Sequence, residues 1–141
     1  MSAEGPEFVD TNVFVYAFDQ GSGAKGEKAR ALVRRLWEDG RGCLSLQVLQ
    51  ELYVTLTRKV ARPVAPEAAA RIVEDLAAWR CHEPSRTDLA DAIELCRKSR
   101  ISLWDALVLQ SARRTGCAVL WSEDLNAGQK LAGVQVRNPF V

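Results

Sequence analysis

The sequence contains one histidine and four cysteines, and none of the cysteines belongs to a C-x-x-C pair. Zinc sites are usually built from such pairs together with histidines, so the sequence gives little support for a structural zinc site. Cys43, Cys81, Cys96 and Cys117 are therefore predicted to be reduced thiols of a cytoplasmic protein. His82, the single histidine, is predicted to lie at the end of a strand or on the surface.

Long apolar runs and a large net charge are also missing. No stretch is long and apolar enough to cross a membrane, and the first residues do not resemble a secretory signal. The net charge is +1 over 141 residues, so any nucleic acid would have to be bound by a local basic patch. The candidate clusters are Arg34 with Arg35, Arg58 and Lys59 with Arg62, Arg97 and Lys98 with Arg100, and Arg113 with Arg114.

Common hydrolase and nucleotide-binding motifs are absent or incomplete. The sequence has no G-x-S-x-G and no H-E-x-x-H. Residues 21–26 (GSGAKG) match G-x-G-x-x-G. A dinucleotide site, however, needs those glycines directly after the first strand and an acid at the end of the second strand. Neither condition is met, and residues 19–26 are predicted to form a flexible loop.

Short apolar segments alternate with amphipathic ones along the chain. This alternation predicts a parallel sheet covered by helices on both faces, that is, a three-layer α/β/α sandwich. Residues 1–7 are expected to be a loose lead-in and residues 8–141 a single domain. Strands are predicted at 8–10, 42–46, 79–82, 117–121 and 134–136. Helices are predicted at 27–39, 47–60, 67–78, 87–99 and 103–115, with a short helical piece at 125–131, while 12–18 fits either state.

Four acidic residues occupy positions that deserve an explanation. Asp10 lies in the apolar run FVDTNVFVYAF, and Asp105 lies in SLWDALVL, where burying an unpaired carboxylate would be costly. Asp124 follows a predicted strand, and Glu51 flanks the apolar stripe of a predicted helix. Each acid also has an ordinary explanation. Asp105 could complete a capping box with Ser102, Asp124 could be a loop acid or a helix cap, and Glu51 could be solvated.

The predicted topology favours a shared site for these acids. In a parallel sheet, strand ends and the starts of the following helices lie at one edge. Asp10 and Asp124 follow strands, whereas Glu51 and Asp105 lie in early turns of helices, so we expect the four to meet. Clustered carboxylates repel one another and require cations, and a ligand set made only of oxygen suits Mg²⁺ or Mn²⁺. Trp104, beside Asp105, is predicted to be buried.

These segments, together with SLQVLQELYVTL and VLWSEDLNAGQ, resemble the motifs of PIN-domain proteins, most closely the VapC-type toxins of prokaryotic toxin–antitoxin pairs. The resemblance runs from Phe8 to Val136. It implies an α/β/α sandwich, Mg²⁺-dependent cleavage of RNA, a small antitoxin partner and a homodimer. It also implies a catalytic, metal-binding centre formed by Asp10, Glu51, Asp105 and Asp124, with Asn12 and Ser122 at the polar positions beside it.

Two other functions remain open at this point. A PIN-like binding module would keep the fold without cleaving RNA. A phosphatase with an aspartyl nucleophile could use Asp10, but its usual second acid, two residues later, is replaced here by Asn12. For the antitoxin, exposed parts of the early helices around Trp37 and Tyr53 are the predicted docking surfaces.

Overall fold

The computed structural model describes residues 5–125 and 128–141, and in these residues helices cover both faces of a central sheet. The predicted α/β/α sandwich is confirmed. The strands are β1 (Glu7–Val9), β2 (Gly42–Ser45), β3 (Arg80–His82), β4 (Val119–Trp121), β5 (Lys130–Leu131) and β6 (Val134–Arg137). The helices are α1 (Thr11–Phe18), α2 (Gly23–Asp39), α3 (Leu46–Arg58), α4 (Pro66–Leu76), α5 (Arg86–Ser99) and α6 (Leu103–Arg114).

The strand order places β1 inside the sheet, between β2 and β4. The full order is β3-β2-β1-β4-β6-β5, and all pairs are parallel except β5 with β6. In the register, Phe8 of β1 lies opposite both Cys43 of β2 and Leu120 of β4. The chain thus leaves β1 for one side of the sheet and later returns on the other. In open α/β sheets, such a reversal leaves a crevice at the carboxyl ends of the strands.

Apolar side chains from the helices close the core over the sheet. Val48, Leu49, Leu52 and Leu56 are buried along one face of α3, at the three- and four-residue spacing expected of an amphipathic helix. α1 packs against α2 and α3, α3 packs against α4, and α5 packs against α6. Cys43 and Cys117 are buried, and all four cysteines are free thiols.

Some segments differ from the predictions made from the sequence. The predicted loop at 19–26 is shorter, because α2 already begins at Gly23, whose φ of 58° suits glycine. In the predicted helix at 125–131, residues 126 and 127 lie outside the described residues. Lys130 and Leu131 form β5, so the helix prediction is wrong there. Ala132 and Gly133, both with positive φ, turn the chain back into β6, as in a two-residue hairpin.

The segment that fitted either state, 12–18, lies within α1, and Asp10 caps that helix. The sheet begins one residue earlier than predicted, at Glu7, which is buried and accepts hydrogen bonds from Arg41 and from Trp121 Nε1. Among the described helices, none combines the length and the apolar character needed to cross a membrane. The assignment of residues 8–141 to one domain stays a prediction.

Candidate active site

The four acids singled out in the sequence line one cavity of about 730 Å³. Asp10 directly follows β1, and Asp124 lies three residues beyond the end of β4. Glu51 comes from the second turn of α3, and Asp105 from the first turn of α6. Four separate segments of the chain therefore bring carboxylates to the carboxyl edge of the sheet.

Asp10 is the most deeply placed of these acids, with 8% of its surface exposed. It is the N-cap of α1, and its Oδ1 accepts a hydrogen bond of 2.7 Å from the backbone N–H of Thr11. Its Oδ2 accepts a hydrogen bond of 2.9 Å from Ser122 Oγ. Burial, with smaller contributions from the charges of Glu51 and Asp105, raises the pKa of Asp10 to about 6 despite these hydrogen bonds.

Glu51 is held by side chains from two helices. Thr11 Oγ1 donates a hydrogen bond of 2.8 Å to Glu51 Oε1. On the other oxygen, Oε2, Glu51 accepts a longer hydrogen bond of 3.4 Å from Gln47 Nε2, one helical turn earlier. Residues Asp10 and Thr11 are adjacent, so the start of α1 supports two of the four acids.

Asn12 and Ser122 connect the start of α1 to the segment after β4. Asn12 Nδ2 donates to Asp124 Oδ2 at 3.1 Å and to Ser122 Oγ at 3.4 Å. Asn12 Oδ1 accepts a hydrogen bond of 3.2 Å from the backbone N–H of Glu123. Ser122 is fully buried, and its hydroxyl also accepts from the backbone N–H of Leu125. These bonds fix the position of Asp124 relative to Asp10.

Asp105 forms only half of the capping box that the sequence suggested. Its backbone N–H donates to Ser102 Oγ at 3.0 Å, but its carboxylate accepts no hydrogen bond from any described residue and faces the cavity. Burial raises the pKa of Asp105, and the charges of Asp124 and Glu51 raise it further. The prediction for its neighbour Trp104 is wrong. Trp104 is 63% exposed at the rim of the cavity.

A cluster around Glu123 supports the same segment from outside. Tyr16 Oη donates a hydrogen bond of 2.8 Å to Glu123 Oε1, and Lys25 forms an ion pair with Oε2. The Lys25 ammonium lies 5.1 Å from the ring centroid of Tyr16 and 5.5 Å from that of Phe140. Tyr16 and Phe140 pack edge to face with their centroids 4.9 Å apart. Both Glu123 and Asp124 line the cavity, but the charge of Glu123 is balanced by Lys25.

The chemistry of the lining fits a hard divalent cation, although the present rotamers do not converge on one. All four candidate ligands are carboxylates, and Gln47 adds a buried amide oxygen, Oε1, that no described donor reaches. Across residues 5–125 and 128–141, however, no three histidine, cysteine, aspartate or glutamate side chains are arranged so that they could hold a metal ion. The oxygens of Glu51 and Asp124 are instead engaged by Thr11 and Asn12. A shared cation would draw these carboxylates closer together, while the hydrogen bonds keep them oriented.

A comparison with protein families identifies the domain. The PIN domain family matches the chain over residues 8–130. The chain belongs to the PIN-domain family. No curated protein matches it in sequence.

Solved structures of toxin–antitoxin proteins share the fold of this PIN domain. A toxin–antitoxin complex from Klebsiella pneumoniae is 18% identical with a TM-score of 0.70, over 94% of this chain and 97% of that one. VapC20 from Mycobacterium tuberculosis, a toxin that cleaves the sarcin–ricin loop, is 23% identical with a TM-score of 0.64, over 85% and 91%. VapBC2 from Rickettsia felis, bound to a DNA fragment of its promoter, is 16% identical with a TM-score of 0.65, over 94% and 97%. At these identities, the likeness establishes the fold.

Reasoning from the sequence missed several residues of the PIN-domain cavity. The partners of Thr11 and Tyr16, which are Glu51 and Glu123, are distant in the chain. Gln47 contacts Glu51 one helical turn away, but an amide on a helix is no signal of a site by itself. The D-T-N segment could have pointed to Thr11, because a hydroxyl between two singled-out residues is a candidate partner. Lys59 was noted only as part of a basic cluster, yet it lines the cavity.

A second polar cluster joins α5 to α6 outside the cavity. His82 ends β3, as predicted, and its Nδ1 lies 2.8 Å from Ser111 Oγ while its Nε2 lies 3.0 Å from Asp88 Oδ2. This Ser-His-Asp order resembles that of a hydrolase triad, but Ser111 is fully buried and cannot meet a substrate. The backbone N–H of Ser85 is the largest influence that lowers the pKa of Asp88 to about 2. Side-chain donors to the Asp88 carboxylate are Ser85, His82 and Gln110, and Arg114 forms an ion pair with it.

Proposed function

We propose that this PIN domain is a metal-dependent endoribonuclease that acts as the toxin of a toxin–antitoxin pair. The observation that carries the proposal is the convergence of four carboxylates, from four segments, on one open cavity. The elevated pKa of Asp10 supports it, because clustered ionisable groups of this kind are common in catalytic sites.

Asp10, Asp105 and Asp124 would hold Mg²⁺ or Mn²⁺, with Glu51 beside them. When bound, the ion supplies Lewis-acid chemistry, polarising the phosphate and lowering the pKa of a water molecule. Thr11 holds Glu51 through its hydroxyl, and Asn12 holds Asp124 through its amide. Ser122 keeps Asp10 in place from the opposite side. Such supporting hydrogen bonds orient metal ligands and influence their affinity.

The geometry gives no support to an aspartyl-nucleophile phosphatase. That chemistry would need an acid at position 12 to exchange a proton with the leaving group. The Asn12 amide nitrogen donates to Asp124 and Ser122, and its oxygen accepts from Glu123. Every polar atom of this side chain is thus committed to holding the loop after β4.

The first test measures cleavage of single-stranded RNA with Mg²⁺ and with chelator. Wild type should cleave only with the metal, and Asp10→Asn or Asp105→Asn should lose roughly a hundredfold or more of the activity, because each removes a metal ligand. Asp75→Asn, an exposed acid on α4 outside the cavity, is the control. Full activity of either cavity variant would refute the site. Binding without cleavage would indicate a binding module, and hydrolysis of p-nitrophenyl phosphate would indicate a phosphatase.

An antitoxin is the partner we propose for this toxin in the cytoplasm. Two of the solved structures with the same fold are described as toxin–antitoxin or VapBC proteins. A groove of about 510 Å³ between α1 and α2 offers an apolar lining with Phe18, Val33 and Trp37, flanked by Arg30 and Arg34. Copurification with the product of the neighbouring reading frame tests this partner. Expression without a growth defect and without any such complex would count against it.

The homodimer implied by the family resemblance would cover a different face. Leu46, Leu89 and Trp104 are 41%, 42% and 63% exposed and line a groove between α3, α5 and α6. Burial of such a patch against its equivalent in a second copy is the usual way a two-fold interface forms. Light scattering coupled to size exclusion tests it, and a monomer at micromolar concentration would contradict it.

A further inference from the structure

A row of polar side chains on α3 forms one wall of the acidic cavity. Gln47, Glu51, Thr55 and Lys59 follow one another at intervals of four residues, so they share one face of the helix. All four line the cavity. Lys59 is the C-cap of α3, and the eight residues that separate it from Glu51 correspond to about 12 Å along the helix axis. The cavity therefore extends from the acids to a cation.

The charges of the cavity are unevenly distributed. Five carboxylates line it, and Lys59 is the only lysine or arginine among its described lining residues. Glu123 has its own partner in Lys25, but the other four acids would repel a nucleic-acid backbone unless positive charge lay nearby. Lys59 is exposed and forms no ion pair within residues 5–125 and 128–141. Its ammonium group is thus available to a ligand.

The other basic clusters of the sequence lie elsewhere on the molecule. Apart from Lys59, no member of these clusters lines the acidic cavity in the described part of the chain. Several of them already form ion pairs with acidic residues, which makes their charges less available to a ligand. The pairs are Arg35 with Glu7, Lys98 with Glu94 and Arg114 with Asp88.

We propose that Lys59 binds a backbone phosphate of single-stranded RNA other than the phosphate that is cleaved. The proposal rests on the ribonuclease function argued above. A strand lying along α3 would present one phosphate to the acids and another, about 12 Å away, to Lys59. A lysine contact of this kind recognises charge, not base identity. Lys59 is therefore a positioning residue that fixes the path of the strand and does not touch the reacting atoms.

The binding test uses the Asp10→Asn variant, which should not cleave, with Mg²⁺ and a short fluorescein-labelled oligoribonucleotide of mixed sequence. Adding Lys59→Gln should weaken binding roughly threefold to fivefold, as for one exposed charge contact. It should also lower the slope of log affinity against log salt by about 0.7, the value for one phosphate contact on a single strand. Lys59→Arg keeps the charge and should keep both values. Arg58→Gln removes an equal charge from a neighbour outside the cavity and should leave the slope unchanged.

The catalytic test uses the wild-type background. Lys59→Gln should raise KM and leave kcat unchanged, because the contact exists in both the ground state and the transition state. An unchanged salt slope for Lys59→Gln, or an equal loss of RNA affinity for Arg58→Gln, would overturn the role of Lys59. The ribonuclease function would still stand if the wild-type protein cleaves the RNA. If the wild-type protein neither binds nor cleaves the RNA, both proposals fail.

Discussion

Individual side chains at the start of α1 control much of the acidic cavity. Asp10, Thr11 and Asn12 are consecutive in the chain, and together they contact Ser122, Glu51 and Asp124. Thr11 reaches Glu51 on α3, and Asn12 reaches Asp124 beyond β4. The first turn of this short helix thus orients acids on both sides of β1, so small changes there should have large effects on activity.

Thr11→Val should lower kcat/KM for RNA roughly tenfold to hundredfold, the usual cost of removing a supporting hydrogen bond from a metal ligand. Valine preserves the branched shape but cannot donate to Glu51. Thr11→Ser keeps the hydroxyl and should restore most of the activity. The measurement is RNA cleavage as a function of Mg²⁺ concentration, where the valine variant should need more metal for half-maximal rate. Equal metal requirements for valine and serine would show that this hydrogen bond has no role.

The acids could be found from the sequence because topology predicts which edge of the sheet they occupy and the family resemblance singles out these four. A carboxylate after a strand or in an early helical turn must lie near one edge of a parallel sheet. Their hydrogen-bond partners could not be found in this way. Thr11 and Glu51 are separated by 40 residues and Asn12 and Asp124 by 112. Whether such pairs meet within hydrogen-bond distance depends on how the helices pack.

Among the helices, α5 and α6 are joined by a buried carboxylate as well as by apolar packing. Asp88 is only 2% exposed and accepts hydrogen bonds from Gln110 on α6 and from His82 at the end of β3. Arg114 of α6 forms an ion pair with the same carboxylate. A buried charge with several donors ties its neighbours together strongly, and removing it leaves those donors unsatisfied.

Asp88→Asn should lower the free energy of unfolding near neutral pH by about 2 to 3 kcal/mol. The pKa of Asp88 is lowered to about 2, so its stabilising contribution is present above the unfolded value near 3.8 and is lost as the pH falls toward 2. The difference between wild type and variant should therefore shrink in acid. Urea unfolding at several pH values measures this difference in the free energy of unfolding. Asp75→Asn, at an exposed position of α4, is the control. A difference that stays constant down to about pH 2 would contradict this account.

Periodicity predicted the long helices well because each has an apolar face that recurs every three or four residues. It failed where an element is too short to show a period or where exposure depends on the surroundings. β5 has two residues and is defined by its turn and its pairing with β6. Trp104 belongs to an apolar turn, yet that turn lies at the rim of a cavity, which leaves the indole exposed.

Without metal, the buried carboxylate of Asp10 should make the stability of the whole protein depend on pH. The pKa of Asp10 is raised to about 6, so folding favours its protonated form. That contribution to stability is present below the unfolded value near 3.8 and is lost as the pH rises through 6. Asp88 and Asp10 therefore contribute opposite slopes to the pH dependence of stability in the metal-free protein.

In chelator, wild-type protein should lose stability between about pH 4 and pH 7, and Asp10→Asn should lose less. Mg²⁺ binds only the folded site, so at a hundredfold excess over its dissociation constant it should add about 2.7 kcal/mol to wild type. It should add far less to the variant. Thermal unfolding of both proteins with chelator and with Mg²⁺ measures these effects. A wild-type melting temperature that does not respond to Mg²⁺ would mean that the acids do not form a metal site.

The contact of Phe140 with Tyr16 and Lys25 has a practical consequence for how the protein should be handled. Tyr16 and Lys25 hold Glu123, which adjoins Asp124, and Val141, immediately after Phe140, is almost fully exposed. A polyhistidine tag fused to Val141 would thus place metal-binding imidazoles near an acidic cavity. Such a tag could supply metal ligands of its own and disturb the support of Asp124. β1 begins at Glu7, and Asp10 follows the other end of that strand, so a cleavable tag on the N-terminal side is the better choice.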